Sequence, residues 1–239
     1  MFREGKMGLT VSREQAATAI DAGQEQRKWI EESISAANQR VGPARAVTQN
    51  RSPDSAERKA VDIATQGLEA MNVLREGTVN LAGAEALGLQ SGEALHRTRE
   101  AAVATVKGIT SLTLTVFSGI PTKEESLNAS RAFSEAATLA LSAGQQPLSG
   151  EFDPSEISKR PGASTIPRAT ELSLKASEKL IEAARLSATV FHSPSALFGY
   201  PAAVKEALEA ANQAETAHNK LKSNPPLGVR PAAAPAATP

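Results

Sequence analysis

The chain of 239 residues is predicted to be all-α, an antiparallel bundle of about five long helices and one or two short ones. Apolar residues recur at steps of three and four along most of the sequence, which is the period of an amphipathic helix. No sustained alternation of apolar and polar residues predicts a strand. Only six Phe, one Trp and one Tyr are present, so Ala and aliphatic side chains supply a core in which helix axes approach closely.

The first helix is predicted over residues 13–40. Ser12 and Gln15 form a capping box, in which two side chains satisfy free backbone groups at a helix start. An apolar stripe follows at alternating steps of three and four. Gly42 and Pro43 are expected to end this helix, because both residue types interrupt helical hydrogen bonding.

The second helix is predicted to begin with Ser52 as its N-cap and Pro53 in its first position. Its apolar stripe weakens at Gly77. Four glycines lie within residues 77–92, and each disfavours a helix interior by about 1 kcal/mol relative to Ala. We therefore expect a broken or short helix in this segment.

Residues 91–119 contain the most apolar run in the chain and predict a long third helix. Its second half carries apolar residues on more than one side, including Leu112, Leu114 and Phe117. Because a surface helix keeps a polar face, this helix is expected to be surrounded by the others. Gly119 is predicted to end it.

Three further helices are predicted after the third. A capping box at Thr122 and Glu125 opens a helix over residues 123–143, which Gly144 is expected to end. The next helix is predicted over residues 168–192. The last begins with Pro201 at its first position.

These elements divide the chain into three parts. Residues 1–11 are predicted to be a flexible N-terminus, and residues 12–222 a helical bundle with a long loop at 145–167. Residues 223–239 are rich in Pro and Ala and have too little apolar surface to fold alone, so a disordered tail is expected there.

Composition excludes several classes of protein. Lys plus Arg and Asp plus Glu each number 26, so the formal net charge is zero and nothing indicates a nucleic-acid partner. Cysteine is absent, which excludes disulfides and thiolate metal sites. Neither a signal peptide nor a transmembrane segment is recognisable. The expected location is the cytoplasm, or outside it after export without a cleavable signal.

Two Glu-x-x-His motifs, Glu93 to His96 and Glu215 to His218, are the sharpest chemical pattern. Residues three apart on a helix lie on one face, and di-iron carboxylate bundles use two such motifs together with single Glu residues. A di-metal oxidoreductase or metal-binding bundle is therefore the alternative hypothesis, and it requires the two histidines to converge. The simpler interpretation is that Glu is abundant in this chain, so that a Glu lies three residues before a His by chance on exposed helices.

The densest aromatic cluster contains Phe191, Phe198 and Tyr200, beside two prolines. It is either a local plug that fixes the angle between two helices or an exposed partner-binding surface.

Taken together, the patterns favour a non-enzymatic interaction or scaffold protein without a cofactor. Its partner is expected to be another protein, and homo-oligomerisation is left open. In composition alone, the chain resembles cysteine-free, aromatic-poor bacterial secretion substrates and Ala-rich cytoskeletal rod bundles, which implies an effector-type or scaffold role. A third hypothesis is a lipid or granule-surface protein that binds through amphipathic helices.

Overall fold

The computed structural model describes residues 13–86, 91–117, 123–145, 165–190 and 200–224. Within these ranges the chain is all-α, as predicted, with six helices and no strand. The helices are α1 (Arg13–Thr48), α2 (Ala56–Ala86), α3 (Gly92–Phe117), α4 (Lys123–Gln145), α5 (Thr165–Thr189) and α6 (Tyr200–Ser223).

Four of the helices form a closed ring. Along the chain α2, α3, α4 and α5 each contact the next, and α5 closes the ring against α2. Helix α1 packs on the α2–α3 side and α6 on the opposite, α4–α5 side. The fold is therefore a four-helix bundle flanked by one helix on each of two sides.

Specific contacts fix the helix directions. The Arg99 guanidinium lies 5.1 Å from the centre of the Trp29 ring, and Arg40 Nη1 donates to Thr110 Oγ1 at 2.6 Å. Both pairs are offset by the same number of residues, so α1 and α3 run parallel. We call the end of the bundle that holds Thr48, the last residue of α1, the upper end.

Consecutive helices run antiparallel. Across α4 and α5, Ser126 donates to the carbonyl of Ser187, and Ser130 donates to the carbonyl of Ala184 at 2.7 Å. The upper end therefore contains the last turns of α1, α3 and α5 and the first turns of α2, α4 and α6. The opposite, lower end contains the start of α1 and the end of α6.

The prediction that Gly42 and Pro43 end the first helix is wrong, because α1 continues to Thr48. Pro43 removes one backbone hydrogen bond, but both residues are exposed, so water can solvate the freed carbonyl. Gly42 also has no Cβ to meet the proline ring. On the opposite face Ala44 and Thr48 are fully buried, and their packing continues the helix across the proline.

The second helix begins three residues later than predicted. Ser55 is its N-cap, since Ser55 Oγ accepts a hydrogen bond from the Arg58 amide at 3.3 Å. Ser52 lies in the preceding turn, where its hydroxyl accepts from the Asp54 amide at 3.3 Å. Pro53 belongs to this turn as well, so it does not open the helix.

The expected break at Gly77 is also wrong, because α2 is continuous to Ala86. Leu74, Thr78 and Leu81 are buried on either side of the glycine. Their packing outweighs the poor helix propensity of one glycine, which is about 1 kcal/mol. Gly88 lies outside the described residues, and Gly92 is the first residue of α3.

The third helix is not surrounded by the others. It packs against α1, α2 and α4, while its outer face is open, and Leu114 and Phe117 are each 51% exposed. The four ring helices share the centre of the bundle instead. Gly119, the expected end of this helix, lies outside the described residues.

Gly144 lies inside α4 and does not end it, since α4 continues to Gln145. A Cβ at Gly144 would lie 2.9 Å from the Ser173 Cβ and 3.5 Å from a Leu221 methyl group. This glycine therefore permits close approach of α5 and α6 to α4.

The remaining helix bounds differ from the predictions by a few residues. Helix α5 spans residues 165–189, not 168–192, and Pro201 is the second residue of α6. The predicted capping residue Thr122, most of the long loop at 145–167, residues 1–11 and the tail after 224 lie outside the described residues.

A phenylalanine side chain fills the centre of the four-helix ring. Phe133 of α4 is fully buried, and its ring lies against two glycines. A Cβ at Gly108 of α3 would meet three ring atoms at 2.7–2.9 Å, and one at Gly67 of α2 would meet the ring at 3.1 Å. The two glycines therefore form the slot that holds the aromatic ring.

Candidate functional site

The first Glu-x-x-His motif lies on the exposed outer face of α3. The His96 side chain is 60% exposed, and its Nε2 lies 3.5 Å from a carboxylate oxygen of Glu100. Glu93 instead accepts a hydrogen bond from Arg97 Nε at 2.9 Å. The two side chains of the motif therefore make ordinary contacts with the next turn of the same helix.

The second motif has a different environment on α6. Glu215 forms an ion pair with Arg185 of α5, whereas His218 is buried with its Nδ1 2.8 Å from Ser177 Oγ. The Ser177 hydroxyl also donates its single hydrogen to the carbonyl of Leu174 at 2.7 Å. His218 accordingly donates from Nδ1 to the serine oxygen.

This serine and histidine pair was not predicted, although His218 falls on the apolar stripe of its helix. Ser177 is completely buried at the α5–α6 interface. A nucleophile needs access to a substrate, so the pair serves packing between these two helices.

The structure does not bring the two Glu-x-x-His motifs together. Helix α3 packs against α1, α2 and α4, whereas α6 packs against α4 and α5 on the other side of the ring. In the described ranges, no group of three or more His, Asp or Glu side chains is placed to hold a metal ion. The metal hypothesis stays a prediction that metal analysis of the purified protein can test.

The predicted partner-binding cluster falls largely outside the described residues. Phe191 and Phe198 lie in the undescribed connection, and Tyr200 is the first residue of α6, with its side chain not described. The connection nevertheless joins the last turn of α5 to the first turn of α6. Both turns are at the upper end of the bundle.

The upper end also exposes apolar side chains of α1 and α3. Val47 is 55% exposed, and Leu114 and Phe117 are each 51% exposed. Val47 and Phe117 each lie about two turns beyond the contacting pair Arg40 and Thr110, on the same faces of two parallel helices. Val47 and Phe117 are therefore at the same level on the two helices, on either side of the line of contact between α1 and α3, which we call the α1–α3 seam. We call Val47, Leu114 and Phe117 the upper patch.

Cations without carboxylate partners lie just below the upper patch. Within the described residues, Arg40 bonds to the neutral Thr110 hydroxyl and to no carboxylate, and Lys107 is exposed and forms no ion pair. Lower on the same two helices, Arg99 of α3 lies over the Trp29 ring of α1. In the part of the chain that the structure describes, Arg40 and Lys107 therefore place positive charge without an ion pair near the upper patch.

A second surface feature is a shallow groove of about 440 Å³ on α2. It is lined by Arg27, Asn72, Val73, Arg75, Glu76, Val79 and Asn80. Its charges are already paired, since Glu76 accepts from Arg168 of α5 at 2.8 Å. Hydrogen bonds from Arg168 to Glu76, and then to Glu171, raise the pKa of the arginine above its ordinary value. This groove offers no uncompensated charge to a ligand.

The fold and this surface define an all-α bundle protein with an apolar, basic-edged upper end. The chain matches no protein-family model, no curated protein and no solved structure. None of the helices, as far as the structure describes them, combines the length and apolar character that crossing a lipid bilayer requires.

Proposed function

We propose that this chain is a non-enzymatic helical-bundle protein that binds another protein through its upper end. The observation that carries the proposal is the upper patch, three large apolar side chains that are each half exposed on two packed helices. Covering the exposed half of each side chain is worth about 1 kcal/mol, so the patch supplies a useful part of a binding energy.

The position of the patch supports the same conclusion. The connection that contains Phe191 and Phe198 attaches at the upper end, where α5 ends and α6 begins. The two points at which this connection joins the described helices therefore lie at the same end of the bundle as the upper patch. Large apolar side chains that are exposed together are typical of protein interfaces.

The tail is proposed to be a tether that leaves from the other end. Helix α6 ends at Ser223, which is at the lower end of the bundle. A Pro-rich segment attached there can hold the bundle to another structure while its upper end remains accessible. Such a scaffold is proposed to act in the cytoplasm or, as an effector-type protein, after export without a cleaved signal.

A comparison of two variants tests the proposal. The triple variant Val47→Ser, Leu114→Ser, Phe117→Ser removes the upper patch, and Val79→Ser is a matched control at a site that is 46% exposed on α2. Crosslinking in cells that naturally make the protein should give a defined partner with the wild type and with Val79→Ser. The same partner should be lost with the triple variant.

Circular dichroism of each variant verifies that the helices are intact. A partner that crosslinks equally to all three proteins would place binding elsewhere on the molecule and refute the proposed role of the upper end.

A further inference from the structure

We propose that the upper patch binds an acidic amphipathic helix of the partner. The apolar side chains of the partner helix contact Val47, Leu114 and Phe117, and its carboxylates face Arg40 and Lys107. This inference rests on the proposed function and adds the chemistry of the partner. It also adds the binding mode, in which one helix lies along the seam between two others.

The spacing of the patch fits a helix as its ligand. Leu114 and Phe117 are one turn apart on α3, and Val47 lies across the seam at the level of Phe117. Lys107 is about two turns, or roughly 10 Å, below Leu114. A partner helix of about three turns spans the apolar side chains and the cations together.

The charges select an acidic partner. Arg40 and Lys107 form no ion pair within the described residues, so a carboxylate can approach either of them without breaking an existing pair. Glu124, in the first turn of α4, follows α3 by a short connection and is exposed at the upper end. The partner's acidic residues are therefore expected next to Lys107, and not next to the first turn of α4.

Two designed peptides provide the probe for this inference. Both are covalently stapled helices of about five turns with the same leucine face, flanked in one by glutamates and in the other by lysines. Fluorescence anisotropy with the full chain measures both affinities. The glutamate peptide should bind about tenfold more tightly, because it gains two exposed ion pairs where the lysine peptide meets like charges.

Variants assign this binding to the proposed residues. The double variant Arg40→Glu, Lys107→Glu should reverse the preference between the two peptides, whereas Lys28→Glu, an exposed position elsewhere on α1, should leave it unchanged. Val47→Ser should weaken both peptides several-fold, whereas the same change at Val79 should weaken neither.

Four outcomes would overturn the inference. The first is equal affinity for the two peptides, and the second is binding that does not respond to Val47→Ser. The third is self-association in sedimentation experiments that is lost with Leu114→Ser, because it would assign the patch to a second copy of the chain. If neither peptide binds but the native partner is still lost from the triple patch variant, this inference fails and the proposed function stands.

Discussion

The substitution Gly108→Ala tests the packing at the centre of the four-helix ring, because it adds one methyl group where three helices meet. Gly108 lies inside α3, and a Cβ there would lie 2.7, 2.8 and 2.9 Å from three atoms of the Phe133 ring. Cβ atoms in proteins do not normally approach other side-chain atoms so closely, so either the Phe133 ring or helix α3 must move. Phe133 is fully buried and also lies against Gly67 of α2, which leaves the ring little room.

The expected magnitude follows from two opposing effects. Replacing glycine by alanine in a helix interior stabilises by about 1 kcal/mol. Overpacking a tight core typically costs 1–3 kcal/mol, and three close contacts place this site toward the upper part of that range. Gly108→Ala should therefore lower the free energy of unfolding by about 1–2 kcal/mol.

Urea unfolding followed by circular dichroism at the helical band measures this change. Gly77→Ala is the matched control, because it is the same substitution inside α2 and its Cβ would lie 3.8 Å from the Leu172 Cβ, an ordinary contact. That variant should be more stable than the wild type by about 0.5–1 kcal/mol.

A second substitution separates the clash from other causes. Phe133→Leu removes the ring atoms nearest to Gly108, so Gly108→Ala should become neutral or stabilising in that background. If Gly108→Ala stabilises the wild-type protein, or destabilises it equally in both backgrounds, the glycine slot is not what positions α3 against α4.

Four other predictions follow from individual side chains. Pro43→Ala restores a hydrogen bond inside α1 and should stabilise the protein by about 1–3 kcal/mol in urea unfolding; a loss of stability would mean that α1 does not continue through this position. His218→Leu removes the buried hydrogen bond between His218 Nδ1 and Ser177 Oγ while the serine keeps its bond to the Leu174 carbonyl, and should destabilise by about 0.5–1.5 kcal/mol, whereas His96→Leu, on an exposed side chain, should change stability by less than about 0.5 kcal/mol. Ser134→Ala removes a buried hydroxyl that has no hydrogen-bond partner in the described structure and should stabilise by about 1 kcal/mol. The purified full chain should contain no stoichiometric metal by elemental analysis; two bound ions per chain, lost with His96→Leu, would support the di-metal hypothesis instead.

The periodicity of apolar residues located the helices but not all their ends. The fourth helix was predicted over 123–143 and spans residues 123–145. The errors occurred at Gly77, Gly144 and the Gly42-Pro43 pair, where a local rule predicted a break. Whether such a residue ends a helix depends on what packs against the neighbouring turns, and that information belongs to other parts of the chain.

The sequence predicted less of the candidate site than of the fold. Spacing placed each Glu-x-x-His motif on one helix face, but it could not tell that α3 and α6 lie on different sides of the ring. The upper patch was missed because Val47 lay beyond the predicted end of the first helix, and because Phe117 was counted as part of a buried one.

The outer positions of α1 and α6 have a mechanical consequence. Among the described helices these are the first and last, each packs mainly against two others, and the start of α1 and the end of α6 are both at the lower end. Tension applied between Arg13 and Ser223 would therefore peel the outer helices away one turn at a time. Peeling breaks few contacts at once, so α1 and α6 should detach at low force while the inner ring stays closed.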